Sequence, residues 1–139
     1  MRFVVLAAVA ILGAAGSVHA APLSPAEQDL DICMRAAAAT DHVALKEVDK
    51  GACQCATADL RKTLKPSDFD LHQRMLEVIA SGADEKTFNK QMSDIMLQRG
   101  MTQSDADAFL ARSKAAEKKA QDDCDASITL APEPSKAGH

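Results

Sequence analysis

Two of the chain's four cysteines stand two positions apart, Cys53 and Cys55 on either side of Gln54, while Cys33 and Cys124 lie far off in opposite directions. Residues two apart on a helix point about 200° from each other, so a helical pair at this spacing cannot close on itself. Each cysteine must reach a different neighbour. Two disulfides would then tie an early and a late segment to the same place, with Cys33 bonded to one of the pair and Cys124 to the other. If the segments before and after residues 41–50 form an antiparallel helical hairpin, Cys33 lies about 10 Å from the turn at roughly 1.5 Å per residue. Cys55 matches that depth slightly better than Cys53. Depth therefore favours Cys33–Cys55 with Cys53–Cys124 by a small margin, and Cys33–Cys53 with Cys55–Cys124 stays open.

The compartment expected for such bonds follows from the N-terminus. Arg2 is followed by an apolar run from Phe3 to Ala15, and Val18-His19-Ala20 supplies modest side chains before a cut. This pattern predicts a secretory signal peptide over residues 1–20, cleaved after Ala20. The run is shorter than the ~20 residues that a permanent membrane helix needs. A chain exported in this way meets an oxidising environment, where cysteines in even number pair. The expected location is the periplasm, with release to the medium as the variant of it, and no transmembrane segment in the mature chain.

With a formal net charge of −4 and no Trp or Tyr, the chain has neither the basic footprint nor the stacking residues of a nucleic-acid binder. Beyond the leader its aromatic side chains are Phe69, Phe88 and Phe109, and alanine supplies much of the remaining apolar content. Burial contributes about 25 cal/mol per Å², so such a core is thin and covalent restraint matters.

Caps divide the rest into helices. Ser24-Pro25-Ala26-Glu27 predicts a helix start with a capping box, and the stripe Ala26, Leu30, Cys33 and Ala37 puts Cys33 on its buried face. It should end near Thr40, with a short helical turn between His42 and Val48. A second helix runs from about Gly51 to Lys65 with Cys53, Ala56, Leu60 and Leu64 on one side, and Pro66 ends it. Ser67 with Asp70 predicts the cap of a third, carrying Phe69, Leu71, Met75, Leu76, Val78 and Ile79 and stopping at Gly82. Asp84 caps a fourth, with Phe88, Met92, Ile95 and Met96 at helical spacing and Gly100 past its end. Thr102 with Asp105 caps a fifth, whose stripe is Ala106, Phe109, Ser113, Ala116, Ala120 and Cys124. No window alternates as a strand would. The expected fold is all-α, a small bundle of about five helices stapled by two disulfides. It occupies residues 21–125 and is followed by a disordered tail over 126–139, where the pattern gives way to prolines and small residues.

Chemistry is less evident. A Cys-x-Cys stretch also occurs in metal and disulfide-exchange sites, and Met92, Met96 and Met101, with His72 and Met75, add soft donors of the kind that suit Cu(I). Against this, Met92 and Met96 share a stripe with Phe88 and Ile95, which core filling explains, and the Cys-x-x-Cys redox spacing is absent. His42, His72 and His139 have no partner at ligand spacing. Ser67, Ser81 and Ser104 read as turn and cap residues. The acidic pairs Asp29/Asp31, Asp68/Asp70 and Asp105/Asp107 and the group Asp122, Asp123 and Asp125 read as helix-start or solvated charges. No catalytic residue, metal ligand or cofactor is assigned, and an enzyme is not expected.

A cysteine in the first helix, a Cys-x-Cys opening the second, the helix start Lys65-Pro66-Ser67-Asp68-Phe69 and a last helix closing on Cys124 together resemble a loose set of small exported helical proteins of proteobacteria. The resemblance spans nearly the whole mature chain. It implies a periplasmic disulfide-bonded bundle and carries over no activity. The leading expectation is a binding or interaction module that presents a helix face or interhelical groove to a protein or a small apolar ligand. Alternatives are a copper or thiol-redox protein using Cys53 and Cys55, and an acid-stress chaperone whose many carboxylates neutralise below about pH 4.

Overall fold

The computed structural model describes residues 21–129; the leader read over residues 1–20 and residues 130–139 of the tail lie outside the described residues. Five helices follow one another: α1 Pro25–Asp41, α2 Lys50–Thr63, α3 Pro66–Ala80, α4 Glu85–Gln98 and α5 Gln103–Thr129, with one 3₁₀ turn at Leu45–Glu47. Among the described residues there is no strand.

Most starts are those the caps predict. Ser24 Oγ accepts from the Glu27 N–H while the Ser24 N–H donates to the Glu27 carboxylate at 2.7 Å, closing the capping box of α1. Asp84 accepts from the Thr87 N–H at 2.7 Å, and Thr102 and Asp105 cap each other at the start of α5. Two starts differ. Asp49 caps α2 through the Ala52 N–H at 3.1 Å. The third helix opens at Pro66, with Lys65 as an N-cap that makes no side-chain hydrogen bond, so Ser67 and Asp70 are not its cap. Proline has no N–H to leave unpaired in a first turn and its φ is already helical, so it starts α3 as readily as it ends α2.

α1 packs most extensively on α3, and α5 on α2. Two apolar clusters result. One joins Leu60 and Leu64 to Phe69 of α3 and to Ala116 and Ala120 of α5. The other joins Leu71 and Val78 of α3 to Met92 of α4 and Phe109 of α5. Every member of the α5 stripe is buried, Ala106, Phe109, Ser113, Ala116, Ala120 and Cys124. α5 itself continues to Thr129.

On α1 the buried face is one position away from the predicted stripe: Asp29, Ile32 and Ala36 are buried, Cys33 and Leu30 are half-buried and Ala26 is exposed. The cause is Asp29. A carboxylate does not read as a core position, but here it pairs with Arg61 of α2, whose guanidinium also lies 4.5 Å from the centre of the Phe69 ring. That compensation lets the face containing an acid turn inward.

The disulfides are Cys33–Cys53 and Cys55–Cys124, with Cα–Cα distances of 5.8 and 5.9 Å. This overturns the pairing that depth favoured. The two candidate positions differ by only about 3 Å along the axis but by about 200° around it, and the angle decides. Cys53 shares its side of α2 with Arg61, which reaches Asp29 of α1. Cys55 shares its side with Asp59, whose carboxylate lies 3.8 Å from Lys119 Nζ of α5.

Candidate functional site

The residue types that sequence singled out as donors separate into three environments. All four cysteines are in disulfides, so Cys53 and Cys55 offer no thiolate to a metal or a redox partner in this state. Among the described residues no group of three or more His, Cys, Asp and Glu could hold a metal ion. The paired acids are engaged elsewhere: Asp68 takes two hydrogen bonds from Arg112 at 2.8 and 3.1 Å, Asp31 pairs with Arg35 and Asp70 with Arg99.

His72 is buried between α3 and α5. Its Nδ1 hydrogen-bonds Ser113 Oγ at 2.8 Å and lies 3.5 Å from Glu117 Oε1. Burial pushes the imidazole below its ordinary value and the Glu117 carboxyl above its own. The three residue types suggest a nucleophile, base and acid, but the geometry does not serve that chemistry. Serine and carboxylate share one ring nitrogen, whereas a catalytic base takes the nucleophile's proton on one nitrogen and is oriented through the other. Ser113 is also only 2% exposed, out of reach of a substrate. The cluster is a structural link between α3 and α5. Sequence reading placed both residues but missed their contact; the signal was a serine at a buried position of the α5 stripe.

The methionines do converge. Met75 of α3, Met92 and Met96 of α4, and Met101 line one groove of about 410 Å³, together with Phe88 and Leu110. Helical spacing brings the α4 residues to this side, and the end of α4 brings Met101. Gly100 has φ 66°, its N–H donates to Leu97 O at 2.9 Å, and the Met101 N–H donates to Met96 O at 3.1 Å. This is a Schellman turn, which folds the residue after the glycine back over the last turn of the helix. Met101 is thereby set beside Met96. Met92 forms the buried floor, while Met75, Met96 and Met101 are half-buried. Leu97 and Leu110 stand on the rim, 68% and 45% exposed. None of the lining residues is charged; Asn89, Ser93, Thr102 and Gln103 supply the polar edge. Neither disulfide involves α3 or α4, so α4 is held by packing on α3 without a covalent tie.

A second groove of about 520 Å³ runs between α1 and α3, with Asp29, Arg61, Phe69, Gln73 and Glu77 among its lining residues. Its charged groups are largely paired within the protein, Asp29 with Arg61 and Arg74 with Glu77. Gln73 is different: both atoms of its amide are buried without a hydrogen-bond partner.

No protein-family model matches the chain, and no curated protein or solved structure matches it.

Proposed function

We propose that the chain is an exported, disulfide-stapled helical binding protein of the periplasm that holds a small apolar ligand in the methionine-lined groove between α4 and α5. The observation that carries this reading is the groove itself: four thioether side chains, a phenylalanine and two exposed leucines meet around one uncharged concavity. Methionine is unbranched and polarisable, and a surface built of it adapts to apolar shapes that a branched side chain would reject. A cavity of this size is in the range of small-molecule sites, roughly 300–1,000 Å³.

Export rests on the leader pattern of residues 1–20, on the two disulfides, which persist in oxidising compartments, and on the resemblance to small exported four-cysteine proteins. Among the described residues no helix is long and apolar enough to cross a membrane. The Ser-His-Glu cluster does not favour a catalytic reading, since Ser113 is buried and shares one ring nitrogen of His72 with the carboxylate. The test is a titration of the oxidised protein with anilinonaphthalene sulfonate, a dye with an apolar aromatic body and one sulfonate. Saturable binding to the folded state, weakened by Leu97→Gln and by Leu110→Gln, is the expected result. Absence of binding, or binding that both variants leave unchanged, would overturn the reading.

A further inference from the structure

We propose that the same groove binds one Cu(I) ion through the thioether sulfurs of Met75, Met92, Met96 and Met101. This rests on the groove being the binding site, but not on which apolar molecule it holds.

The chain has six methionines. Met1 belongs to the leader pattern and Met34 to α1, and all of the remaining four line the groove. They arrive from three separate pieces of backbone: α3, adjacent turns of α4, and the residue that the Gly100 turn folds back. Filling a core does not require this choice. Leucine packs as well, specifies its position better, and occurs nearby at Leu71, Leu97 and Leu110.

The chemistry of the lining selects the ion. Thioethers are soft donors and suit Cu(I), whereas the carboxylates and waters that hold Mg²⁺, Ca²⁺ or Mn²⁺ are hard. No carboxylate and no histidine is among the groove's lining residues. His72, which sequence placed beside Met75, instead faces Ser113 and Glu117. Thiolates would compete for the same ion, but all four cysteines are tied up in disulfides. Thioethers are thus the soft donors left to the chain in an oxidising compartment. Because they carry no proton to lose, binding through them does not weaken on mild acidification as thiolate or imidazole ligation does.

The test is transfer of Cu(I) to the oxidised protein from a bicinchoninate complex kept reduced with ascorbate, with intact mass confirming that no disulfide opens. The wild type is expected to withdraw one Cu(I) per chain and to withdraw no Zn²⁺. Outer-shell changes already cost metal sites about 10–100-fold in affinity, so loss of ligands in Met92→Leu/Met96→Leu should cost at least tenfold. Met101→Leu, which leaves the buried Met92 in place, should also weaken transfer and guards against a folding defect in the double variant. No transfer by the wild type, or undiminished transfer by both variants, overturns the proposal. The leucine variants keep an apolar groove and should still take the dye. A wild type that takes the dye but no Cu(I) overturns the copper proposal alone, and one that takes Cu(I) but no dye overturns the apolar ligand alone.

Discussion

Cys53 and Cys55, separated by a single residue of α2, are bonded to helices from opposite ends of the chain, the first to Cys33 of α1 and the second to Cys124 of α5. One short segment is thereby the junction of both staples. The methionine groove has one wall, α5, that a staple ties to α2, and another, α4, that packing alone holds in place.

Unequal loops predict unequal losses. The bonds close 20 and 69 residues of sequence, and the chain-entropy estimate assigns them about 3 and about 4 kcal/mol. Cys55→Ser/Cys124→Ser should therefore lose more stability in urea unfolding than Cys33→Ser/Cys53→Ser. Both variants should retain helical circular dichroism at low temperature. Equal midpoints, or a greater loss for the shorter loop, would contradict the assignment of stability to loop closure.

The buried imidazole makes stability depend on mild acid. In the unfolded chain a histidine takes its proton near pH 6.5, and burial holds His72 below that value in the fold. Below about pH 6.5 the unfolded state binds the extra proton first, so the stability present at neutral pH is lost as pH falls through the depressed folded value, at up to about 1.4 kcal/mol per unit. Glu117, the charged group facing it at 3.5 Å, acts in the other direction, because burial raises its carboxyl above its ordinary value. Urea midpoints measured between about pH 7.5 and 5.5 should fall for the wild type and fall less for His72→Gln. A wild-type midpoint flat over that window would mean that burial does not hold His72 below its ordinary value in the fold.

Gln73 should be improvable. A buried amide without partners costs about 1–3 kcal/mol in desolvation that nothing returns, and both of its amide atoms are in that position. Gln73→Met, close in shape and apolar, is expected to raise the urea midpoint by the equivalent of about 1 kcal/mol. A lower midpoint would mean that a bound water or ligand satisfies the amide.

Gly100 carries the turn that delivers Met101. Its φ of 66° lies in the left-handed region, where nothing crowds a Cβ but the backbone itself opposes one. Gly100→Ala should cost about 1 kcal/mol. It should also weaken dye binding in the fraction of molecules that relieve the strain by opening the turn, because Met101 there leaves Met96. Loss of stability with unchanged binding would remove Met101 from the site.

How much of this could be read in advance differs from helix to helix. The α5 stripe was legible in full because each of its buried positions is small or apolar and the helix meets its neighbours along one line. α1 misled by one position because its inward face contains Asp29, whose partner Arg61 is 32 residues away and invisible to periodicity. The cap of α3 is one that side-chain rules miss: Ser67 and Asp70 read as its cap, but the helix opens at Pro66, whose missing N–H needs none. The cysteine partners turned on rotation about α2, which depth along the axis cannot report. For the site, the methionine spacing on α4 was visible, but Met75 and Met101 join it only through the packing of α3 and the turn at Gly100. The contact of His72 with Ser113 likewise spans 41 residues and belongs to tertiary structure alone.

The groove's role is tested most directly by following the methionine methyl signals of isotope-labelled, oxidised protein as anilinonaphthalene sulfonate is added. The account predicts that Met75, Met92, Met96 and Met101 shift together and saturate with one affinity, while Met34 on α1 stays where it is. Shifts that leave those four unmoved at saturating dye, or that move Met34 equally, would contradict it.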